Sequence, residues 1–432
     1  MDAPVDKTVL KNGVRILTQK RPHTRSISMG VWVNVGARDE ALTENGLSHF
    51  IEHMIFKGTR RRSAYQIAKE FDAIGGNTNA FTTMENTCYH AKVMDTHTEI
   101  MIDILSDIFL NSVFDPGEIE KERPVVLQEI SMIEDSPDEY VHLLSGKNFW
   151  GDNPLGRSIL GSPNNIIRFD ADLIKNFFKR LYQPERIVIS VAGSAEHSFI
   201  MDRVGPTFES IPPENTLAER LTPKSQSLVD LNYRKLEQVH LCLGTMGLSI
   251  TDPRRYAYAL LNTILGGNMS SRLFQEIREK RGLAYTVYSF IASHVDTGMF
   301  GIYAAVDPKR ALETTALILK EITRLKNERV DSSELRGAIE YTKGSLLLAA
   351  ESNDNHMVRN AQNEIHFNRD VPLQEVIERV EAVSVADLVD LARSLFKKNK
   401  MVLTLLGSVR EKQPFEDLLY HSKSQRISIG PK

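Results

Sequence analysis

The sequence predicts an α+β chain of two related domains, each a mostly antiparallel sheet packed with helices. Three observations predict it. The chain has 432 residues, 41% of them hydrophobic, enough for two or three domains with real cores. Its first half reads in the order strand, helix, glycine pair, strands, long helix. The same order returns about 200 residues later, as a duplicated topology requires.

The elements follow from local pattern. Thr8–Gln19 is strand-like, with a turn at Asn12-Gly13, and Ser26–Val35 is a β-branched, apolar strand closed by Gly36. Gly46–Lys57 and Ala64–Ile74 read as helices, the second stopped by Gly75-Gly76. Asn79–Val93 alternates as a strand does, and Thr96–Asn111 is an amphipathic helix. A long helix starts near Pro116 with acids in its first turn and runs to Asp135; a helix at Asp172–Leu181 and a strand at Ile187–Gly193 close the half. Pro206, Pro212, Pro213 and Pro223 interrupt the pattern. The domains are therefore expected at 1–210 and 228–432, with 211–227 as linker. Beyond it come a strand at Val239–Gly244, a helix at Arg254–Ile264, Gly266-Gly267, strands at Tyr285–Ser293 and Gly298–Val306, and a helix at Arg310–Lys326.

Composition narrows function by exclusion. With 53 Lys+Arg against 56 Asp+Glu, the net charge of −3 creates no field for nucleic acid or anionic membrane. Cys88 and Cys242, the two cysteines, fall in apolar strand-like runs and make neither a disulfide framework nor a Cys-rich metal site. No secretory signal is legible at the N-terminus, and Ile100–Leu110 is too short and too charged to span a bilayer. A cytoplasmic protein is expected; a mature organellar protein presents the same sequence.

Chemistry concentrates in His49-Phe50-Ile51-Glu52-His53, an H-x-x-E-H arrangement. On a helix, His49 and His53 lie one turn apart on one face and can fill two corners of a zinc site, with Glu52 in reach of a metal-bound water. Leu47, Ile51, Ile55 and Phe56 bury the opposite face. A catalytic zinc takes three protein ligands, the third here a carboxylate or another histidine from a different element. Glu118, Glu120, Glu122, Glu129 and Glu134 on the long acidic helix are all available, and spacing does not choose among them. Glu122 and Glu129 share a stripe.

This pattern resembles the pitrilysin-type (inverzincin) zinc metallopeptidases, in particular their short processing-peptidase-like branch. The resemblance covers essentially the whole chain and runs through Pro154–Ser162. It implies one zinc per chain, with the third ligand 76 residues after the second histidine, which is Glu129, and an important glutamate seven residues earlier, Glu122. It implies a substrate strand at Asn79, Ala80, Phe81 and Thr82. It further implies that Arg281 and Tyr288, from the half without the zinc motif, contact peptide and the developing oxyanion. Tyr285 is a competing phenol. Long-chain relatives enclose substrate between two halves, so this chain corresponds to half of a clamshell chamber. The implied assembly is a homodimer whose active sites are shared across chains. The implied activity is an endopeptidase for unfolded peptides or presequence-like segments, with no nucleic-acid or membrane partner. The alternative is a non-catalytic core-type subunit or an obligate heterodimer partner of the same fold; the joint presence of His49, Glu52, His53 and Glu129 favours the enzyme.

Overall fold

The computed structural model describes residues 3–213, 219–224 and 226–421. In the first half the strands are β1 (Val5–Val9), β2 (Arg15–Lys20), β3 (Ser26–Val33), β4 (Asn77–Thr82), β5 (Thr87–Met94) and β6 (Ile187–Gly193). The helices are α1 (Leu47–Met54), α2 (Ala64–Ala73), α3 (Thr98–Asn111), α4 (Pro116–Asp135), α5 (Pro137–Trp150), α6 (Pro163–Ile166), α7 (Ala171–Leu181) and α8 (His197–Glu209). The second half adds β7 (Leu228–Tyr233), β8 (Val239–Met246), β9 (Ala284–Ser293), β10 (Gly298–Val306) and β11 (Met401–Gly407). With them come α9 (Arg255–Asn262), α10 (Ala311–Asn327), α11 (Ser332–Ala349), α12 (Asn353–Phe367), α13 (Leu373–Glu381), α14 (Val385–Leu395) and α15 (Gln413–Glu416).

The class is α+β, with two sheets and their helices. The first sheet has the order β1-β2-β6-β3-β5-β4, antiparallel except for β2 beside β6. The second has the order β7-β11-β8-β10-β9, antiparallel except for β7 beside β11. Remove β1 and the two orders are one topology written twice.

The chain divides into two compact units that are not contiguous halves. The first comprises Met1–Ile133, Arg157–Leu221 and Gly344–Val376; the second comprises Glu134–Gly156, Thr222–Lys343 and Ile377–Lys432. A boundary at 211–227 thus leaves α5 in the unit of the second sheet and α12 in that of the first. Of that linker segment, residues 214–218 and 225 lie outside the described residues, and the rest carries neither helix nor strand.

Sandwiched sheets explain why β3 is buried from Ile27 to Val33 instead of alternating. One face packs Ile27, Met29, Val31 and Val33 against Phe50, Met54, Ile104 and Leu105 from α1 and α3. The other face packs Leu17, Trp32, Cys88 and Val188 against Met357 and Ala361 of α12. Gly30 permits this second layer, because a Cβ there would stand 2.5 Å from Met357 Sδ. In the second unit α5 plays the matching part: Asn148 Nδ2 donates to Asp230 Oδ2 at 2.8 Å and Thr404 Oγ1 at 3.0 Å.

One element departs from expectation. Asn79–Val93 is not a single strand but the hairpin β4–β5, turning at Thr83–Asn86. That turn holds no glycine or proline to announce it. The Thr83 hydroxyl shapes it, accepting from Asn86 N at 2.9 Å and Glu85 N at 3.3 Å.

Candidate metal centre

α1 is short and needs anchoring. Gly46 precedes it at φ 105°, a left-handed conformation that favours glycine. Buried Glu40 takes the first amides: its carboxylate accepts from Ser48 N at 2.7 Å, Gly46 N at 2.8 Å and Asn45 Nδ2 at 3.0 Å. Burial raises the Glu40 carboxyl to about 7 against those donors. The apolar residues Leu47, Phe50, Ile51 and Met54 then bury one side and turn His49 and His53 to the other.

His49 Nε2 and His53 Nε2 stand 3.3 Å apart. Glu129 Oε2, from α4, lies 3.6 Å from the first and 3.5 Å from the second. Ligands held about 2.0–2.1 Å from a tetrahedral zinc have donor atoms roughly 3.3–3.4 Å apart, so this triangle has the size of one zinc face. Among the described residues this is the one group of three such side chains close enough to hold a metal. Burial, and then the neighbouring His53, lower His49 to about 4, so its imidazole is neutral at pH 7 and its lone pair is free to coordinate. Glu129 is the most open of the three, at 37% side-chain exposure, which gives an ion a way in.

His53 is oriented from behind. Its Nδ1 bonds Glu122 Oε1 at 2.8 Å, which leaves Nε2 to face the centre. Lys57 Nζ meets the other Glu122 oxygen at 2.5 Å. Burial opposes the Glu122 charge, but the hydrogen bonds from Lys57 and His53 outweigh it and hold the carboxyl below its ordinary range. Glu52 projects beside this triangle, and Thr82 Oγ1 donates to its Oε2 at 2.6 Å. Burial pushes the Glu52 carboxyl above its ordinary range, against Thr82 and His53.

α1, α4 and β4 therefore bring His49, His53, Glu129, Glu122, Glu52 and Thr82 together. Asn79, Ala80 and Phe81 lie along the same β4, the edge strand of its sheet. Arg281 and Tyr288 belong to the second unit. Arg281 Nη1 donates to Glu276 O and Oε2, each at 2.7 Å, and Tyr288 Oη bonds His142 Nε2 at 2.9 Å. Tyr285 is 77% exposed. Cys88 and Cys242 are buried free thiols. Sequence reasoning missed Lys57 and Glu40. Lys57 had a local signal, one turn beyond His53; Glu40 had none, because two of its three partners are backbone amides and the third is the side chain of Asn45, a residue common in loops.

Fold and site together define a two-sheet α+β protein with a His/His/Glu metal-type centre on its first sheet unit. Comparison with known proteins carries this further. Residues 15–163 match the insulinase (peptidase family M16) domain, and residues 168–341 match the peptidase M16 inactive domain. The chain is 41% identical over 395 residues to an uncharacterized zinc protease of Bacillus subtilis, covering 91% of this chain and 96% of that protein. An uncharacterized zinc protease of Streptomyces coelicolor is 37% identical over 417 residues, covering 95% of this chain and 91% of the relative. A protease of Helicobacter pylori, with a solved structure, superposes at TM-score 0.88 over 94% of this chain and 100% of its own; its identity is 22%, so the likeness speaks to fold. The chain belongs to the M16 (insulinase) family of peptidases. Among the described residues no helix is long and apolar enough to cross a membrane.

Proposed function

We propose that this chain is a zinc-dependent endopeptidase that hydrolyses unfolded peptides or presequence-like segments, with one zinc held by His49, His53 and Glu129. The observation that carries the reading is the triangle of three donor atoms 3.3, 3.5 and 3.6 Å apart with the Glu52 carboxylate beside it. Bound there, zinc supplies Lewis acidity toward a carbonyl and an acidified water. Glu52 accepts the proton of the attacking water and delivers it to the leaving amine. Thr82 keeps the Glu52 carboxylate turned to that task, and Glu122 holds the His53 tautomer. The outer edge of β4 takes an extended peptide as an added strand, which selects unfolded segments because a folded one has no free backbone to offer. Arg281 and Tyr288 steady the substrate and its oxyanion across a homodimer with shared sites; for this, Arg281 exchanges Glu276 for substrate. The family membership and the names of the relatives support the peptidase and zinc parts of this reading.

The test is cleavage of an internally quenched fluorogenic peptide by the full chain. Chelation abolishes cleavage, zinc restores it, and Glu52→Gln lowers kcat about 10²–10⁴-fold with zinc still bound. Cleavage indifferent to both chelator and Glu52→Gln would refute the mechanism.

A further inference from the structure

The segment between the two sequence halves does more than connect them. Arg220, near the end of the first unit's second stretch, binds Asp39 as a fork, with Nε to Oδ1 at 3.0 Å and Nη2 to Oδ2 at 2.7 Å. The same Nη2 donates to the backbone carbonyl of Glu85 at 2.9 Å. One residue on, the Leu221 carbonyl accepts from Arg38 Nη2 at 2.9 Å, and Arg38 Nη1 bonds Glu85 Oε1 at 2.6 Å.

Two of these bonds, Arg220 to the Glu85 carbonyl and Arg38 to the Glu85 carboxylate, land on the turn at Thr83–Asn86. The carbonyls of Thr83 and Met84 accept from Ala37 N at 3.2 Å and Arg38 N at 2.8 Å, and the Glu85 carbonyl takes Arg220. Gly36 allows this approach: a Cβ there would stand 2.3 Å from Thr83 O. Three successive carbonyls of one turn are thus bound from outside the hairpin. The residue immediately before the turn is Thr82, whose hydroxyl holds Glu52.

Charge neutralisation does not explain Arg220. The carboxylates of Asp39 and Glu85 already face Arg38 and Arg186, at 2.6 Å for Arg38–Glu85 and 3.6 Å for Arg186–Asp39. Taking Arg220 away leaves two described cations for two anions. What disappears is the fork that joins Asp39 to the turn.

We propose that Arg220 is a positioning residue: from the linker it clamps the β4–β5 turn and so fixes Thr82 against Glu52. The proposal rests on the reading of Glu52 as base and β4 as substrate strand. It also makes the linker part of the catalytic apparatus.

The test uses full-length Arg220→Ala, Arg220→Lys, Thr82→Val and the Arg220→Ala/Thr82→Val double variant, with the quenched peptide as probe and rates normalised to bound zinc. Arg220→Ala lowers kcat/KM roughly ten- to hundred-fold with zinc affinity unchanged. Arg220→Lys, which keeps the charge and loses the fork, recovers part of it and covers the case in which the alanine variant folds poorly. In the Thr82→Val background Arg220→Ala costs little more, because both act through one hydrogen bond. An unchanged kcat/KM, or losses that multiply in the double variant, overturns the clamp. Hydrogen exchange over residues 77–86 is read in parallel, and Arg220→Ala speeds it. If the wild type cleaves nothing, the functional reading fails while exchange still decides the clamp: unaltered protection of 77–86 overturns it.

Discussion

His53 spends both ring nitrogens: Nε2 faces the ligand triangle and Nδ1 is tied to Glu122 at 2.8 Å. The ionised carboxylate behind it makes the imidazole a better donor and fixes its tautomer. Glu122→Gln keeps an oxygen for Nδ1–H but removes that charge and strands Lys57. Zinc affinity should fall about 10- to 100-fold, measured by competition against a chromophoric chelator, with the far-ultraviolet circular dichroism unchanged. Glu52→Gln should do the reverse, keeping the zinc and losing on the order of 10²–10⁴ in kcat. If Glu52→Gln instead loses its zinc, Glu52 is a ligand and not the base. The two substitutions are near-isosteric, so neither outcome can be put down to repacking.

At the scale of the element, the centre is as good as the anchoring of an eight-residue helix. Glu40 supplies it, and its carboxyl, raised to about 7 from an ordinary 4.5, makes the anchor sensitive to pH. Because the folded-state value lies above the unfolded one, the native chain holds this proton more tightly. The stability it contributes is full below about 4.5 and is lost as pH rises toward 7, on the order of 3 kcal/mol. Glu40→Gln carries no such proton, so the stability gap between wild type and variant should move in the variant's favour across pH 4.5–7 in denaturant titrations. A gap independent of pH would show that Glu40 is ionised throughout. None of this was legible in the sequence, whereas α1 itself was. An i, i+4 histidine pair in an apolar helix is a local pattern. Glu40 and Arg220 act through contacts 8 and 181 residues away in the chain, on Ser48 N and Asp39. Glu129 illustrates the same limit, since five glutamates of α4 were equal on spacing and a family resemblance singled one out. The exchanged helices were hidden for another reason. α5 and α12 cover their sheets partly with polar groups, Asn148 and Asn353 among them, so their apolar stripes are thin.

Over the whole molecule, the five-strand topology is used twice, whereas among the described residues a cluster able to hold a metal occurs once. α1, between β3 and β4, carries His49 and His53, two of the three candidate ligands; its counterpart α9, between β8 and β9, holds Leu260 and Leu261 in the core and contains no histidine. Arg281 and Tyr288 lie just before and on β9, the counterpart of the β4 edge strand. If those two residues serve the centre of another copy, a two-fold dimer contains two composite sites, each needing Glu52 from one chain and Arg281 from the other. Glu52→Gln and Arg281→Ala homodimers are then each impaired at both sites. A hybrid of the two has one site with both defects and one with neither. Equal mixing with free exchange makes half the dimers hybrid, so about a quarter of wild-type peptidase activity should return. Mass spectrometry of tagged chains verifies the exchange. Activity no greater than the average of the separate variants, once exchange is verified, would place every catalytic contribution within one chain and remove the reason for a shared dimer.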